Sequence, residues 1–310
     1  MDEQHHRRGI LAVFLLVFVL IWGAAGCKSK EAEAVTGSGS CDVGLALDST
    51  DPLDAAKAIG LCSGVLSAIW VDANGGALTL DATFHLGHGI LPNFGPNVQR
   101  RAGGSLLALS SGTARRPTDP GYVESVQIVG TVTGFDKGYS STLPAGYPMP
   151  TPGCSATPSV ARDGIALEVV LDVPSSATGF AVDVNYHTTD YSLSVCSDYT
   201  DQFALMNMTD ASLAGSSYNV AMDSLGNPIS AASTGSMLAC VSNAGLYVPY
   251  TCPLGSGLLV GTGFDGYGAS EWLTVTGTAA SNPTSLRFMI WDVGDGLADS
   301  TVLIDNFRWQ

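Results

Sequence analysis

Aspartates are the residues in this 310-residue chain whose spacing most suggests chemistry. Asp292, Asp295 and Asp299 fall within the segment Asp292-Val293-Gly294-Asp295-Gly296-Leu297-Ala298-Asp299-Ser300, and Asp305 follows on an otherwise apolar stretch. Oxygen-rich loops of this kind suit a hard cation such as calcium. The spacing is not that of an EF-hand, which needs oxygen ligands at positions 1, 3 and 5, glycine at 6 and glutamate at 12. A second acidic segment, Cys196-Ser197-Asp198-Tyr199-Thr200-Asp201-Gln202-Phe203, puts Asp198 and Asp201 beside a cysteine, and Asp183 is flanked by Val182 and Val184. The expectation is that Asp183, Asp198, Asp201, Asp292, Asp295, Asp299 and Asp305 converge on calcium between a sheet edge and a loop. The alternative is that they shape turns by accepting backbone N–H groups.

Other constellations are thinner. His85 and His88 form a His-x-x-His pair, but residues three apart on a strand face opposite sides, so both reach one metal only if Gly87 breaks the strand. His187 would serve a hydroxyl nucleophile such as Ser110 or Ser111, yet there is no Gly-x-Ser-x-Gly elbow. Trp70, Trp272, Trp291 and Trp309, with Tyr186, Tyr191, Tyr199 and Tyr267, would make a stacking platform for sugars if exposed, although packing in a β-sandwich core is the commoner fate of tryptophan.

The elements that must hold these residues read as strands. In Ser285 to Asp292, Leu286, Phe288 and Ile290 fall on one face and Arg287, Met289 and Trp291 on the other. In Thr301 to Trp309 the consecutive Val302, Leu303 and Ile304 mark a central strand. Period-two counting puts Asp305 on the face of Leu303, Phe307 and Trp309, where a carboxylate needs a cation or several N–H donors. Further strands are expected at Leu66 to Val71, Ala77 to Phe84, Ser105 to Leu109, Ser125 to Thr133, Ile165 to Val173, Gly179 to Tyr186, Phe203 to Met208, Tyr218 to Asp223 and Trp272 to Thr276. One helix is expected from about Asp51, capped by Ser49 or Thr50, with Pro52 in its first turn and Gly60 as its breaker. The expected fold is all-β, a two-sheet sandwich or jelly roll with one short N-terminal helix.

Arg7 and Arg8 precede an apolar run of thirteen residues from Ile10 to Trp22, followed by Gly23-Ala24-Ala25-Gly26-Cys27. A run this short is a signal-peptide core rather than a membrane span. The small residues before Cys27 resemble a bacterial lipobox, in which the cysteine takes the lipid. Ala24 stands where that motif usually has leucine, which leaves ordinary cleavage nearby as the alternative. The next residues, to Ser40, are small and polar and read as a flexible tether. The expected organisation is therefore a signal peptide at 1–26, a lipidated Cys27 with its tether at 27–40, and a β-sandwich domain at 41–310. Lys28 lacks the aspartate that often marks inner-membrane retention, which points to the outer membrane.

Residues 1–26 hold two acids and two bases, so the remainder keeps the net charge of −15. Such a surface repels nucleic acid and anionic lipid. With 37 glycines and 15 prolines the chain suits short strands and tight turns. Cys41, Cys62, Cys154, Cys196, Cys240 and Cys252 are an even set in an exported chain, expected as three disulfides. Nearness in sequence favours Cys41 with Cys62 and Cys240 with Cys252, leaving Cys154 with Cys196.

Several stretches, in order, resemble the choice-of-anchor L domain of exported bacterial proteins: Asp51 to Cys62, Gly104 to Gly112, Gly179 to Val184, Val195 to Phe203, Gly261-Thr262-Gly263-Phe264, Ile290-Trp291-Asp292 and Asp299 to Phe307. The resemblance spans roughly residues 51–309 and implies surface or extracellular placement without implying a reaction. The leading expectation is a non-catalytic, lipid-anchored surface binding or adhesion protein, calcium-stabilised, that meets a carbohydrate or another surface protein. The alternatives are a self-associating envelope component and a secreted hydrolase.

Overall fold

The computed structural model describes residues 41–78, 81, 83–154, 160–233, 235–241 and 251–310. The expected leader, the expected lipidation at Cys27 and the expected tether lie outside the described residues. Among those described, no helix is long and apolar enough to cross a membrane.

The strands are β1 (Val65–Val71), β2 (His88–Leu91), β3 (Leu106–Ser110), β4 (Val126–Ile128), β5 (Thr131–Thr133), β6 (Ser140–Ser141), β7 (Ala161–Leu171) and β8 (Gly179–Thr188). They continue with β9 (Gln202–Asn207), β10 (Ile229–Ser230), β11 (Ala239–Cys240), β12 (Gly268–Ala269), β13 (Leu273–Thr278), β14 (Thr284–Val293) and β15 (Ser300–Trp309). One antiparallel sheet runs β1-β7-β14-β9-β10, with β6 also on β7; the other runs β11-β12-β8-β15-β3-β2, with β13 also on β8. β4 and β5 form a separate hairpin. The all-β sandwich with one short helix is the architecture the sequence predicts.

Three apolar layers follow from strands that are apolar on both faces. Between the sheets lie Leu286, Phe288 and Ile290 of β14, Leu167 and Val169 of β7, Val182 and Val184 of β8, and Val302 and Ile304 of β15. Outside the first sheet, Met289, Trp291 and Val293 pack with Tyr147 and Ala204. Outside the second, Leu303 packs with Phe94, Leu106, Ala108 and Phe264. Both faces expected of β14 are thus covered.

The helix α1 (Pro52–Ala58) begins one residue later than the expected caps allow. Asp51, not Ser49 or Thr50, accepts the Leu53 N–H at 2.9 Å, while Ser49 Oγ donates to Asp54 at 2.7 Å. Its buried Ala55, Ala56 and Ala58 present a flat face to the central core.

β15 departs from simple alternation. The register shifts between Asp305 and Arg308, and Asn306 takes φ +56°, so a bulge turns the strand over. Phe307 and Trp309 therefore join the central core with Val302 and Ile304, rather than sharing a face with Leu303 and Asp305. Other boundaries also move. Asp81 accepts the N–H groups of Thr83 and Phe84, which turns the end of the expected 77–84 strand into a short 3-10 helix, Phe84–Gly87. The expected strand at 125–133 breaks at Gly130, φ +83°, into β4 and β5. Residues 218–223 make only isolated bridges, Met206 to Asn219 and Met222 to Pro228.

The cysteines are joined as Cys41–Cys62, Cys154–Cys196 and Cys240–Cys252. Three disulfides mark a chain that folds in an oxidising, extracytoplasmic setting.

Candidate functional site

The seven aspartates singled out in the sequence do not converge. They separate into an interior group at one end of the sandwich, a pair beside a surface groove, and the exposed Asp198.

The interior group arises where the two sheets are joined by the β14–β15 turn. β14 meets β9 at Trp291 and Gln202, and β15 meets β8 at Ser300 and Thr188. This brings Asp292 and Asp201 together from one sheet, with Asp299 and Asp190 beside them from the other. The Ser300 hydroxyl donates across to Asp201 Oδ2 at 2.8 Å, the Val293 N–H donates to Asp201 Oδ1 at 2.9 Å, and the Asp201 N–H donates to Asp190 Oδ2 at 2.8 Å. Asp299 Oδ2 accepts the Phe135 N–H at 3.0 Å. At the rim, Asp295 accepts its own turn's Leu297 N–H at 3.1 Å.

One ammonium enters this cluster. Lys137 is buried, and its Nζ reaches only carbonyl oxygens, those of Ser110 at 3.3 Å and Asp163 at 3.4 Å, while its backbone N–H donates to Asp163 Oδ2 at 2.9 Å. Burial lowers its pKa against the pull of Asp163, Asp299 and Asp292. Burial pushes the carboxyls of Asp190, Asp201 and Asp292 well above the ordinary carboxylate range, and the neighbouring negative charges add to the shift. Asp299 is pushed up to about 6, chiefly by burial. Burial thus favours the protonated carboxyls and works against the Lys137 ammonium, so the cluster limits its charge of both signs.

Whether this donor set fits a cation turns on its unused oxygens. Asp292 has the Asp201 carboxyl and the Ser111 hydroxyl as neighbours, yet neither of its oxygens makes a hydrogen bond of acceptable geometry, and Asp299 Oδ1 has no donor. Buried oxygens without donors suit a hard cation. The described residues nevertheless contain no group of three acidic, histidine or cysteine side chains placed closely enough to hold a metal. Calcium here would require Asp201, Asp292 and Asp299 to draw together.

Asp183 and Asp305 face each other across β8 and β15, five residues or roughly 17 Å along β8 from Thr188. Asp305 Oδ2 accepts the N–H groups of Arg101 at 2.5 Å and Ala102 at 3.1 Å, and Oδ1 accepts that of Asn306 at 2.5 Å. Burial outweighs these donors and pushes Asp305 up to about 6. Asp183 takes Asn306 Nδ2 and Thr274 Oγ1, both at 2.8 Å, with Arg308 at 3.2 Å and Arg101 at 3.4 Å. Burial opposes ionisation of Asp183, but these donors and cations outweigh it and keep its pKa low. This pair is satisfied by protein groups and serves to pin the loop around residues 97–103.

That loop forms one wall of an open groove of about 710 Å³. Asn97 and Arg101 stand on it, Gly257 and Leu258 lie opposite, and Glu271 and Trp272 lead into β13. Asn97 Nδ2 donates to the Gly257 carbonyl at 2.8 Å and ties the two walls together. Trp272 packs against the outer apolar layer yet remains partly exposed, which leaves an aromatic surface beside a guanidinium, an amide and a carboxylate.

The remaining candidates fall elsewhere. Trp70, Trp291, Tyr186 and Tyr191 are buried, Trp309 packs on the central core, and Tyr199 is exposed apart from the groove. Among the eight expected aromatics, only Trp272 lines this groove. His88 is buried against Trp70, with Nε2 2.6 Å from the Ser49 carbonyl, while His85 Nδ1 lies 3.0 Å from the Asp81 carbonyl. His187 is enclosed by Phe94 and Phe264, neither ring nitrogen has a hydrogen-bond partner among the described residues, and burial lowers its pKa to about 3. Ser110 Oγ donates to the Ser300 carbonyl at 2.9 Å and Ser111 Oγ accepts the Ser300 N–H at 2.9 Å.

Sequence reasoning missed Asp190 and Lys137. Asp190 lies two residues past the end of the buried β8, a position that signals a strand-end carboxylate. Lys137 sits in the turn-like Asp136-Lys137-Gly138, where nothing marks it for burial.

No known family model and no curated protein matches this chain. Among solved structures, the chain is similar to the K1 cleaved adhesin domain of Lys-gingipain from Porphyromonas gingivalis W83, at 11% identity, covering 78% of this chain and 91% of that chain with a TM-score of 0.27.

Proposed function

We propose that this is a non-catalytic, lipid-anchored surface protein of the choice-of-anchor L kind, which binds carbohydrate on its surroundings through the Trp272 groove. The observation that carries the reading is the groove itself. A partly exposed indole, backed by the core, offers a flat apolar face for a sugar ring, while Arg101, Asn97 and Glu271 offer the convergent polar groups that fix hydroxyls. Asp305 and Asp183 support the site by holding the loop that carries Arg101. The lipobox-like Cys27, the tether and the disulfides are consistent with an anchored domain outside the cytoplasm.

Calcium enters this reading as a stabiliser of the Asp201, Asp292 and Asp299 cluster, where it displaces protons. A ligand that binds only the folded state raises the melting midpoint with the logarithm of its concentration over Kd. Metal-stripped protein titrated with calcium is expected to melt higher, with Asp292→Asn unresponsive and Asp305→Ala still responsive. An unchanged midpoint in the unsubstituted protein removes calcium from the account.

Binding is tested on a panel of immobilised neutral and acidic oligosaccharides. Retention that is lost in Trp272→Ala, with an unchanged melt, supports the groove. Retention equal in both proteins places the binding elsewhere.

A second reading has its own observation. β1 ends the strand order of its sheet; among the described residues its outer side is bridged at Val71 by Ala77 and at Trp70 by Leu78, while Leu66 and Ile69 are exposed, a surface on which copies of the chain would pack as a structural envelope component. Sedimentation that shows assembly, abolished by Ile69→Lys, would favour that reading over monomeric binding.

A further inference from the structure

A second surface feature lies apart from the Trp272 groove and is independent of the sugar reading. The β4–β5 hairpin and the loop at 261–267 face each other across a cleft of about 860 Å³. Tyr122 and Tyr267 are half-buried in its lining, and the Tyr267 hydroxyl accepts the Gln127 N–H at 2.9 Å, which fixes the hairpin to the loop. Tyr122 lies close against Gly263: a Cβ there would come within 2.6 Å of its hydroxyl oxygen, so glycine is what lets the ring settle into the cleft.

The charge of this cleft is one-sided. Glu124 and Asp265 are exposed in its lining and no lysine or arginine joins them. All the basic residues from 41 onward belong to the described residues, and neither acid has a salt-bridge partner among them. Among the described residues, Asp265 Oδ1 accepts only the Gly261 N–H, at 3.0 Å, in its own loop. The hairpin tip adds apolar surface, since Ile128 is 56% and Val129 84% exposed. Aromatic faces beside uncompensated carboxylates attract a cation, by the ring quadrupole and by charge. Anions and acidic surfaces are repelled.

We propose that this cleft docks a basic segment of a protein partner, with an arginine or lysine side chain lying between Tyr122 and Tyr267 against Glu124 and Asp265. Apolar residues flanking that cation cover Ile128 and Val129. The mixed character of the cleft selects this occupant: a cation alone leaves the exposed apolar tip in water, and an apolar segment alone leaves the two carboxylates without a partner. The remaining half-exposed ring edges and the hairpin backbone accommodate an extended chain.

The test uses the full oxidised chain and a fluorescein-labelled peptide of alternating arginine and leucine, followed by anisotropy. A glutamate–leucine peptide of equal length and a chitosan oligomer serve as comparison probes. Glu124→Gln/Asp265→Asn neutralises the cleft on two exposed side chains, and the amide that replaces the Asp265 carboxylate retains an acceptor for the Gly261 N–H, so the melt is expected to stay unchanged. Asp172→Asn/Asp198→Asn removes the same charge from exposed positions outside the cleft. The expected result is binding of the arginine–leucine peptide that weakens about 5- to 10-fold in the cleft variant and hardly at all in the control variant. Equal weakening in both variants means that net charge alone attracts the peptide, and overturns the proposal. So does an absence of binding, equal binding of the glutamate–leucine peptide, or binding of the chitosan oligomer in place of the peptide.

Discussion

Replacing Asp299 with asparagine tests the interior charge cluster most sharply. The side chain is 3% exposed, its Oδ2 holds the Phe135 N–H, and it is pressed against Gly112 and Gly134, so an isosteric amide fits where a larger group would not. In the folded protein burial pushes Asp299 from 3.8 up to about 6. A carboxyl whose folded pKa is raised binds its proton more tightly in the folded than in the unfolded state, so its contribution to stability falls as pH rises through the interval from about 4 to about 6. The shift corresponds to about 3 kcal/mol across that interval. Asparagine cannot titrate, and removing the negative charge also lowers the cost of ionising Asp292, which adds in the same direction. The assay is urea unfolding of both oxidised proteins at pH values from 4 to 8 in metal-free buffer. Asp299→Asn is expected to gain on the unsubstituted protein as pH rises, by about 3 kcal/mol at pH 7 relative to pH 4. Parallel pH profiles would refute the reasoning, because they would mean that Asp299 ionises in the fold as easily as in the open chain.

The other predictions concern the groups around it. Lys137→Met removes the buried amino group among the carboxyls and is expected to cost about 3–5 kcal/mol at pH 8, and less at pH 5, below the value of about 6 to which Asp299 is pushed, read by the same unfolding experiment. Asp305→Ala leaves the N–H groups of Arg101 and Ala102 without their acceptor and should lower stability by about 1–3 kcal/mol, with faster hydrogen exchange confined to residues 97–103. Asp51→Ala removes the observed helix cap and should cost about 1 kcal/mol, while Thr50→Ala, at a position whose side chain does not cap α1, should leave thermal melting nearly unchanged.

Much of this fold was legible because it rests on period and punctuation. Leu286, Phe288 and Ile290 announced one face of β14, and the consecutive Val302, Leu303 and Ile304 announced a strand covered on both sides. Pairing of near cysteines likewise needed only sequence distance. The bulge at Asn306 was not legible, since period-two counting carries no sign of a residue that takes positive φ, and that single residue moved Phe307 and Trp309 to the other face. Within the acidic residues, type was legible and placement was not. Asp305 and Asp299 look alike in sequence, but one meets three backbone N–H groups from a distant loop and its own strand, and the other lies in a buried carboxyl cluster that holds one lysine, Lys137. Trp272 was visible as an aromatic; its partnership with Arg101, 171 positions away, depends on β13 and the 97–103 loop meeting at the second sheet.

The central claim, that the Trp272 groove binds carbohydrate, is tested most directly by glycan retention of the unsubstituted protein beside Trp272→Ala and Arg101→Ala. The account predicts a sugar ligand whose retention falls in both variants while their melting midpoints stay close to that of the unsubstituted protein. Retention that survives loss of the indole, or a protein that retains no glycan at all, would contradict it.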